Sequence, residues 1–114
     1  MEDLSEKAIK KNCPHCDLSS QAFRYPLEQT KDFYLVVDSH PIVEGHILII
    51  SKKHIGELLD AEESLINHMF VIVRKMIRNH TISGYRIVNN GKGAAFVDHL
   101  HIHVMGHVDK NRKL

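Results

Sequence analysis

The chain has 114 residues, 43% hydrophobic and 25% charged, the balance of one globular domain able to close a core without disulfide staples. Fifteen lysines and arginines against 14 acidic residues leave a net charge of +1, so neither nucleic acid nor a membrane surface is implied as a partner. Ten histidines are the excess in this composition and direct attention to a site.

In chain order, Met1–Lys11 is polar and charged and does not read as a signal peptide. The longest apolar run, Ile47–Ile50, is far short of a membrane span, and a cytoplasmic location is expected. Cys13-Pro14-His15-Cys16 comes next. Arg24–Glu28 and Phe33–Asp38 predict a hairpin with the polar turn Gln29-Thr30-Lys31-Asp32. Gly45–Ser51 predicts a strand whose continuous apolar centre suits burial on both faces. A helix is expected from Ala61 to Asn79, with Asp60 and Glu63 as a capping pair for the free N–H groups of its first turn. Leu65, Ile66, Met69, Phe70, Val73, Met76 and Ile77 follow the 3.6-residue period as its buried stripe, with Ile72 adding to that face. Gly84–Asn89 and Asp98–Gly106 complete the strands. This order predicts an α+β fold, an antiparallel sheet with the helix on one face. The expected organisation is a polar segment 1–12, a domain 13–106 and a charged, solvated tail 107–114.

Within the last strand, His99-Leu100-His101-Ile102-His103-Val104-Met105 alternates imidazole with apolar side chains. A strand advances about 3.3 Å per residue and alternates faces, so the three histidines form a row with steps of roughly 7 Å while the aliphatics point into a core. Such a row suits nucleophilic chemistry, anion binding or a zinc strand. Cys13 and Cys16 have the bite of one tetrahedral zinc ion, with two further ligands required from elsewhere. The rival is disulfide exchange, but that needs a hydrophobic strand before the motif, and Ser5–Asn12 is polar. His46 either supports the triad from the neighbouring strand or is a satisfied core histidine. His68 is expected on the helix surface, and His40 and His107 call for no special role.

The heptad from His99 to Met105 is similar to the signature of the histidine triad family, and the chain resembles that family from Cys13 to Met105. Phe33–Asp38 resembles the family strand ending in a ribose-binding aspartate; Gly45–His54 resembles its central strand and following turn; Gly84–Asn89 resembles the strand carrying a phosphate-side asparagine in the Hint branch. The resemblance implies a five-stranded antiparallel sheet with a main helix on one face. It further implies a homodimer in which two sheets become continuous. A Cys-x-x-Cys near the N-terminus is found in zinc-containing bacterial members, whose structural zinc implies Cys13, Cys16, His54 and His99 as ligands here.

The chemistry so implied is cleavage at the α-phosphate of a nucleoside 5′-phosphate derivative, either a dinucleoside polyphosphate or a phosphoramidate, with a purine nucleotide as partner. His101 would be the nucleophile, forming a nucleotidyl-histidine; His103 would hydrogen-bond the phosphoryl oxygens; His99 would orient the strand; Asp38 would hold the ribose. Asn89, or Asn90, would bind near the scissile bond, and no catalytic metal is required. One departure is notable. Ala94-Ala95-Phe96 stands where many members carry Gly-Gln-Ser or Gly-Gln-Thr, and Ala95 and Phe96 have no side-chain donor for a leaving group. Lys92 or the backbone of Gly91-Lys92-Gly93 is the substitute at hand. A nucleotide-binding protein with weak or lost turnover, and a structural zinc protein, are the alternatives.

Overall fold

A computed structural model describes residues 6–7 and 9–113, so most of the polar segment before residue 9 lies outside the described residues. Its elements are β1 (Glu6–Lys7), β2 (Pro26–Gln29), β3 (Phe33–Val37), β4 (His46–Ser51), β5 (His54–Ile55), α1 (Glu63–Asn79), β6 (Arg86–Val88) and β7 (His101–Met105). Five of them form an antiparallel sheet in the order β2-β3-β4-β7-β6, as an α+β fold requires. The pair β1–β5 was not foreseen: a two-residue ladder sets Glu6 opposite Ile55 and Lys7 opposite His54.

Register decides which face each histidine occupies. In β4 and β7, Ile50 pairs with His101, Leu48 with His103 and Ile49 with Ile102. Alternation therefore sends His46, Leu48, Ile50, His101 and His103 to one face and Ile47, Ile49, Ile102 and Val104 to the other. The second face meets α1: Phe33, Leu35, Ile47, Ile49, Ile102 and Val104 pack with Met69, Ile72, Val73 and Met76. Ile49 and Val104 are fully buried, each worth about 1.5–3 kcal/mol of transfer free energy. All of β4 is buried, as its apolar centre predicts. The first face carries a smaller apolar group of Val36, Leu48 and Ile50, flanked by Phe23 and Tyr34.

The helix differs from expectation in two respects. It begins at Glu63, with Glu62 as N-cap making no side-chain cap bond. Asp60 instead closes a 3-10 turn, Leu58–Asp60, and Ala61 is extended, so the Asp60–Glu63 capping pair does not form. Phe70, placed in the stripe by its period, is 44% exposed, whereas Ile72 is buried. The stripe centres on Met69, Val73 and Met76, and Phe70, about 100° round the axis from Met69, falls at its margin.

The C-terminal segment is exposed but not simply solvated. The Arg86 guanidinium donates to the carbonyls of Asp109, Lys110 and Arg112, and Arg112 reaches the Ile42 carbonyl. Val108 N–H donates to the Gly84 carbonyl at 2.8 Å. Gly84 has φ +58°, and a Cβ there would lie 2.9 Å from the Val108 carbonyl oxygen, so a glycine is what lets the tail approach. Among the described residues, no helix is long and apolar enough to cross a membrane.

Candidate active site and metal centre

The three triad histidines differ in what their ring nitrogens touch, and backbone carbonyls, which only accept, fix their tautomers. His101 Nδ1–H donates to the His99 carbonyl at 2.6 Å. Nε2 of His101 is therefore an unprotonated nitrogen with an available lone pair. His99, which precedes β7 rather than opening it, donates Nε2–H to the Ser51 carbonyl at 2.7 Å, leaving Nδ1 as its lone-pair nitrogen. The first bond is local, to the residue two positions back, and the second crosses to the antiparallel neighbour: Ser51 N–H also donates to the Leu100 carbonyl, which holds this stretch against the end of β4.

His103 takes the opposite tautomer through His46, the residue whose role the sequence left open. Ile42 N–H donates to His46 Nδ1 at 3.1 Å, so the proton of neutral His46 sits on Nε2. That Nε2 lies 2.8 Å from His103 Nδ1 and 3.3 Å from Asp38 Oδ2. With His46 as donor, His103 Nδ1 accepts and His103 carries its proton on Nε2. Asp38 stands beside this pair as a nearby carboxylate, and its Oδ1 accepts the His40 N–H at 2.8 Å. Asp38, His46 and His103 also lie close enough to suggest a metal site. The Ile42 bond argues against one, because a metal would need the Nε2 position that the proton occupies.

Burial keeps these rings neutral. It is the largest cause that lowers His103 to about 4, aided by His101 and His46 and opposed by Asp38. The same cause lowers His99 to about 4, opposed by its bond to Ser51. His101 and His46 are lowered by burial as well, against the raising influence of Asp38 on both and of the His99 carbonyl on His101. Neutral imidazole is the form a nucleophile needs.

Beside the triad, Cys13, Cys16, His54 and His99 bring one donor atom each to within 4.8 Å of one another, and this cluster is in range to hold a metal ion. Cys13 Sγ is 3.4 Å and Cys16 Sγ 3.5 Å from His99 Nδ1. His54 Nδ1 is 3.4 Å from Cys16 Sγ and 3.2 Å from His99 Nδ1. A tetrahedral ion with bonds of about 2.0–2.3 Å spaces such ligand atoms roughly 3.3–3.8 Å apart, so the donor set fits zinc. His54 is buried within β5 rather than opening a surface turn. Both cysteines are free thiols, and their convergence on two distant histidines is not something a disulfide-exchange pair requires.

The Asn89 amide donates to the His101 carbonyl at 3.0 Å and so braces the strand. In the loop 89–98, the Ala94 and Ala95 N–H groups both turn back to the Gly91 carbonyl, and Phe96 is fully exposed. His68 pairs with Asp32 at 3.1 Å on the partly exposed helix side. A cavity of about 650 Å³ there is lined by Lys31, Lys53, Glu62 and His68 and holds none of the triad. A further ring was missed: His15, between the cysteines, is buried and stands edge-on to His101 with centroids 4.6 Å apart. Its position inside the Cys-x-x-Cys turn was the only sequence signal available, and that signal is silent about the triad.

A row of imidazoles with fixed tautomers on the central strands of a five-stranded antiparallel sheet, one helix behind it, defines a histidine-strand α+β protein. The HIT domain family model matches residues 26–110, and the chain belongs to that family. It is 40% identical over 84 residues to a HIT-like protein of Chlamydia muridarum, covering 68% of this chain and 67% of the relative. It is 31% identical over 105 residues to the adenosine 5′-monophosphoramidase of Saccharomyces cerevisiae, covering 90% of this chain and 66% of that enzyme. Among solved structures, a HIT family hydrolase from Legionella pneumophila superposes with TM-score 0.74 at 28% identity, covering 86% of this chain and 95% of that one.

Proposed function

We propose that this chain is a nucleotide hydrolase or nucleotidyl transferase, cleaving at the α-phosphate of a purine nucleoside 5′-phosphate derivative through a nucleotidyl-histidine. The observation that supports it is the pair of opposite tautomers: His101 with a lone pair on Nε2 and His103 with a proton on Nε2. Nε2 of His101 attacks phosphorus, the P–N bond forms as the bond to the leaving group breaks, and His103 donates to the phosphoryl oxygen that gains charge. Water then attacks phosphorus, the P–N bond breaks and His101 is restored. Asp38 shares the strand face of Tyr34 and Val36, which line a cavity of about 400 Å³ with Leu18, Phe23 and Leu27. That order suits a ribose at the carboxylate and a purine on the apolar lining. The yeast relative acts on an adenosine 5′-monophosphoramidate, so a phosphoramidate heads the substrate panel.

The cysteine and histidine cluster holds structural zinc in this reading, tying residues 13–16 to His54 and to the triad strand, and no step of the reaction passes through it. The chain pairs as a homodimer, its edge strand β6 and exposed Ile87, Phe70 and Val71 supplying uncovered apolar surface. A second reading, a nucleotide-binding protein with weak turnover, is favoured by the Ala94–Phe96 stretch, where no side chain can donate to a leaving group. A panel of adenosine and guanosine phosphoramidates and dinucleoside polyphosphates, assayed for released monophosphate, separates the two. Turnover that is lost in His101→Asn while monophosphate binding persists is the expected result. Binding without turnover on every substrate selects the second reading, and wild-type rates in His101→Asn refute the covalent route.

A further inference from the structure

His15 has no part in the reaction as described, yet it is placed where one would be useful. It is only 6% exposed and packs edge-on to His101 at 4.6 Å and to His99 at 5.6 Å, with interplanar angles of 88° and 77°. Cys13 and Cys16 on either side are held by the donor cluster, so the ring is delivered to the nucleophile by a constrained turn. Its Nδ1 is buried with no hydrogen-bond partner among the described residues. Leaving a buried polar atom unpaired is unfavourable, and a phenylalanine would fill the same space against His101 without that cost. An imidazole that touches the nucleophile and keeps an unsatisfied nitrogen in the free protein is arranged for something that arrives with substrate.

We propose that His15 is a further substrate-contacting residue, whose ring N–H donates to an oxygen of the nucleotidyl group when that group is bound at or joined to His101. The inference rests on the hydrolase or nucleotide-binding reading of this site. It adds a second imidazole donor beside His103, and one supplied by the zinc-binding turn rather than by the triad strand. The contact is made to both the bound monophosphate and the covalent intermediate, so it registers in affinity as well as in turnover.

The test compares His15→Phe, which keeps a ring but no donor, with His15→Asn, whose amide nitrogen stands close to the place of Nδ1. Zinc content and Tm are measured on both to show that the turn is intact. AMP is the probe for affinity by calorimetry, and adenosine 5′-monophosphoramidate for kcat and KM. His15→Phe is expected to weaken AMP binding about 10-fold, the scale of one hydrogen bond to a charged acceptor. It is expected to lower kcat by about 10- to 100-fold, with zinc content unchanged and Tm equal or higher. His15→Asn should recover at least half of the lost affinity on a logarithmic scale. A phenylalanine variant with wild-type AMP affinity and turnover overturns the proposal and leaves His15 as packing. So does an asparagine variant no better than phenylalanine. If wild-type protein binds AMP without turning over phosphoramidate, the affinity comparison alone decides, and the hydrolase reading fails separately. If wild-type protein binds no AMP, both readings fall.

Discussion

Replacing His46 by leucine tests the tautomer argument at its centre. His46 is 1% exposed and does two things: it accepts the Ile42 N–H on Nδ1 and presents Nε2–H to His103 Nδ1 at 2.8 Å. Leucine does neither. Ile42 is half exposed and water can take over its N–H, but His103 loses the donor that keeps its own proton on Nε2. Asp38 Oδ2, already 4.0 Å from His103 Nδ1, then becomes the acceptor that draws the proton to Nδ1. His103 would face the phosphoryl oxygen with a lone pair, and an oxyanion donor worth about 2.7–4 kcal/mol would be lost. The expected outcome is a kcat lowered by about 100- to 1,000-fold with KM changed little, since the donor acts mainly on charge that develops in the transition state. His46→Gln, whose amide can still donate to His103, should retain much more activity. Side-chain nitrogen NMR reads the cause directly: wild-type His103 and His46 should carry protons on Nε2, and His101 on Nδ1. A wild-type His103 protonated on Nδ1, or a leucine variant with undiminished kcat, would refute the reasoning.

Three further outcomes are expected. Purified protein should contain one zinc per chain, and Cys13→Ser should lower metal content and Tm before it impairs chemistry at His101; metal-free protein with a Cys13–Cys16 disulfide would instead favour the redox alternative. Stability should fall as the pH is lowered from 6.5 towards 4, because His103 titrates near 4 when folded but near 6.5 when unfolded, so the unfolded chain binds the proton first. Followed by denaturant unfolding, that slope is at most about 1.4 kcal/mol per pH unit for this one ring, and a flat profile would show that His103 is not held neutral by burial. Light scattering at micromolar concentration should give twice the 13.1 kDa of one chain, and a stable single-chain mass would remove the dimer.

Much of this protein is written locally. The alternation from His99 to Met105 places imidazoles opposite aliphatics in any strand, because the side-chain period is two. The unbroken apolar run of β4 marks it as central, and the sheet order bears that out. The Cys13–Cys16 spacing sets half of a tetrahedral site before any fold is known. What sequence could not decide depends on contacts between residues far apart in the chain. The helix start moved because a 3-10 turn at Leu58–Asp60 intervenes, and Phe70 lies outside because the sheet, not the period, chooses the centre of the stripe. The pairing of β1 with β5 involves two residues on each side, too few to carry a pattern.

The same holds within the site. His46 became meaningful only when the β4–β7 register brought it beside His103, 57 positions away, and when the turn after Asp38 aimed the Ile42 N–H at its ring. His15 met His101 only because the cysteine turn docks against the triad strand. Residue types and their spacing determine which chemistry is available, since they are properties of the local chain. Which nitrogen carries the proton is decided by the partner across the fold, and only the tertiary structure supplies that partner.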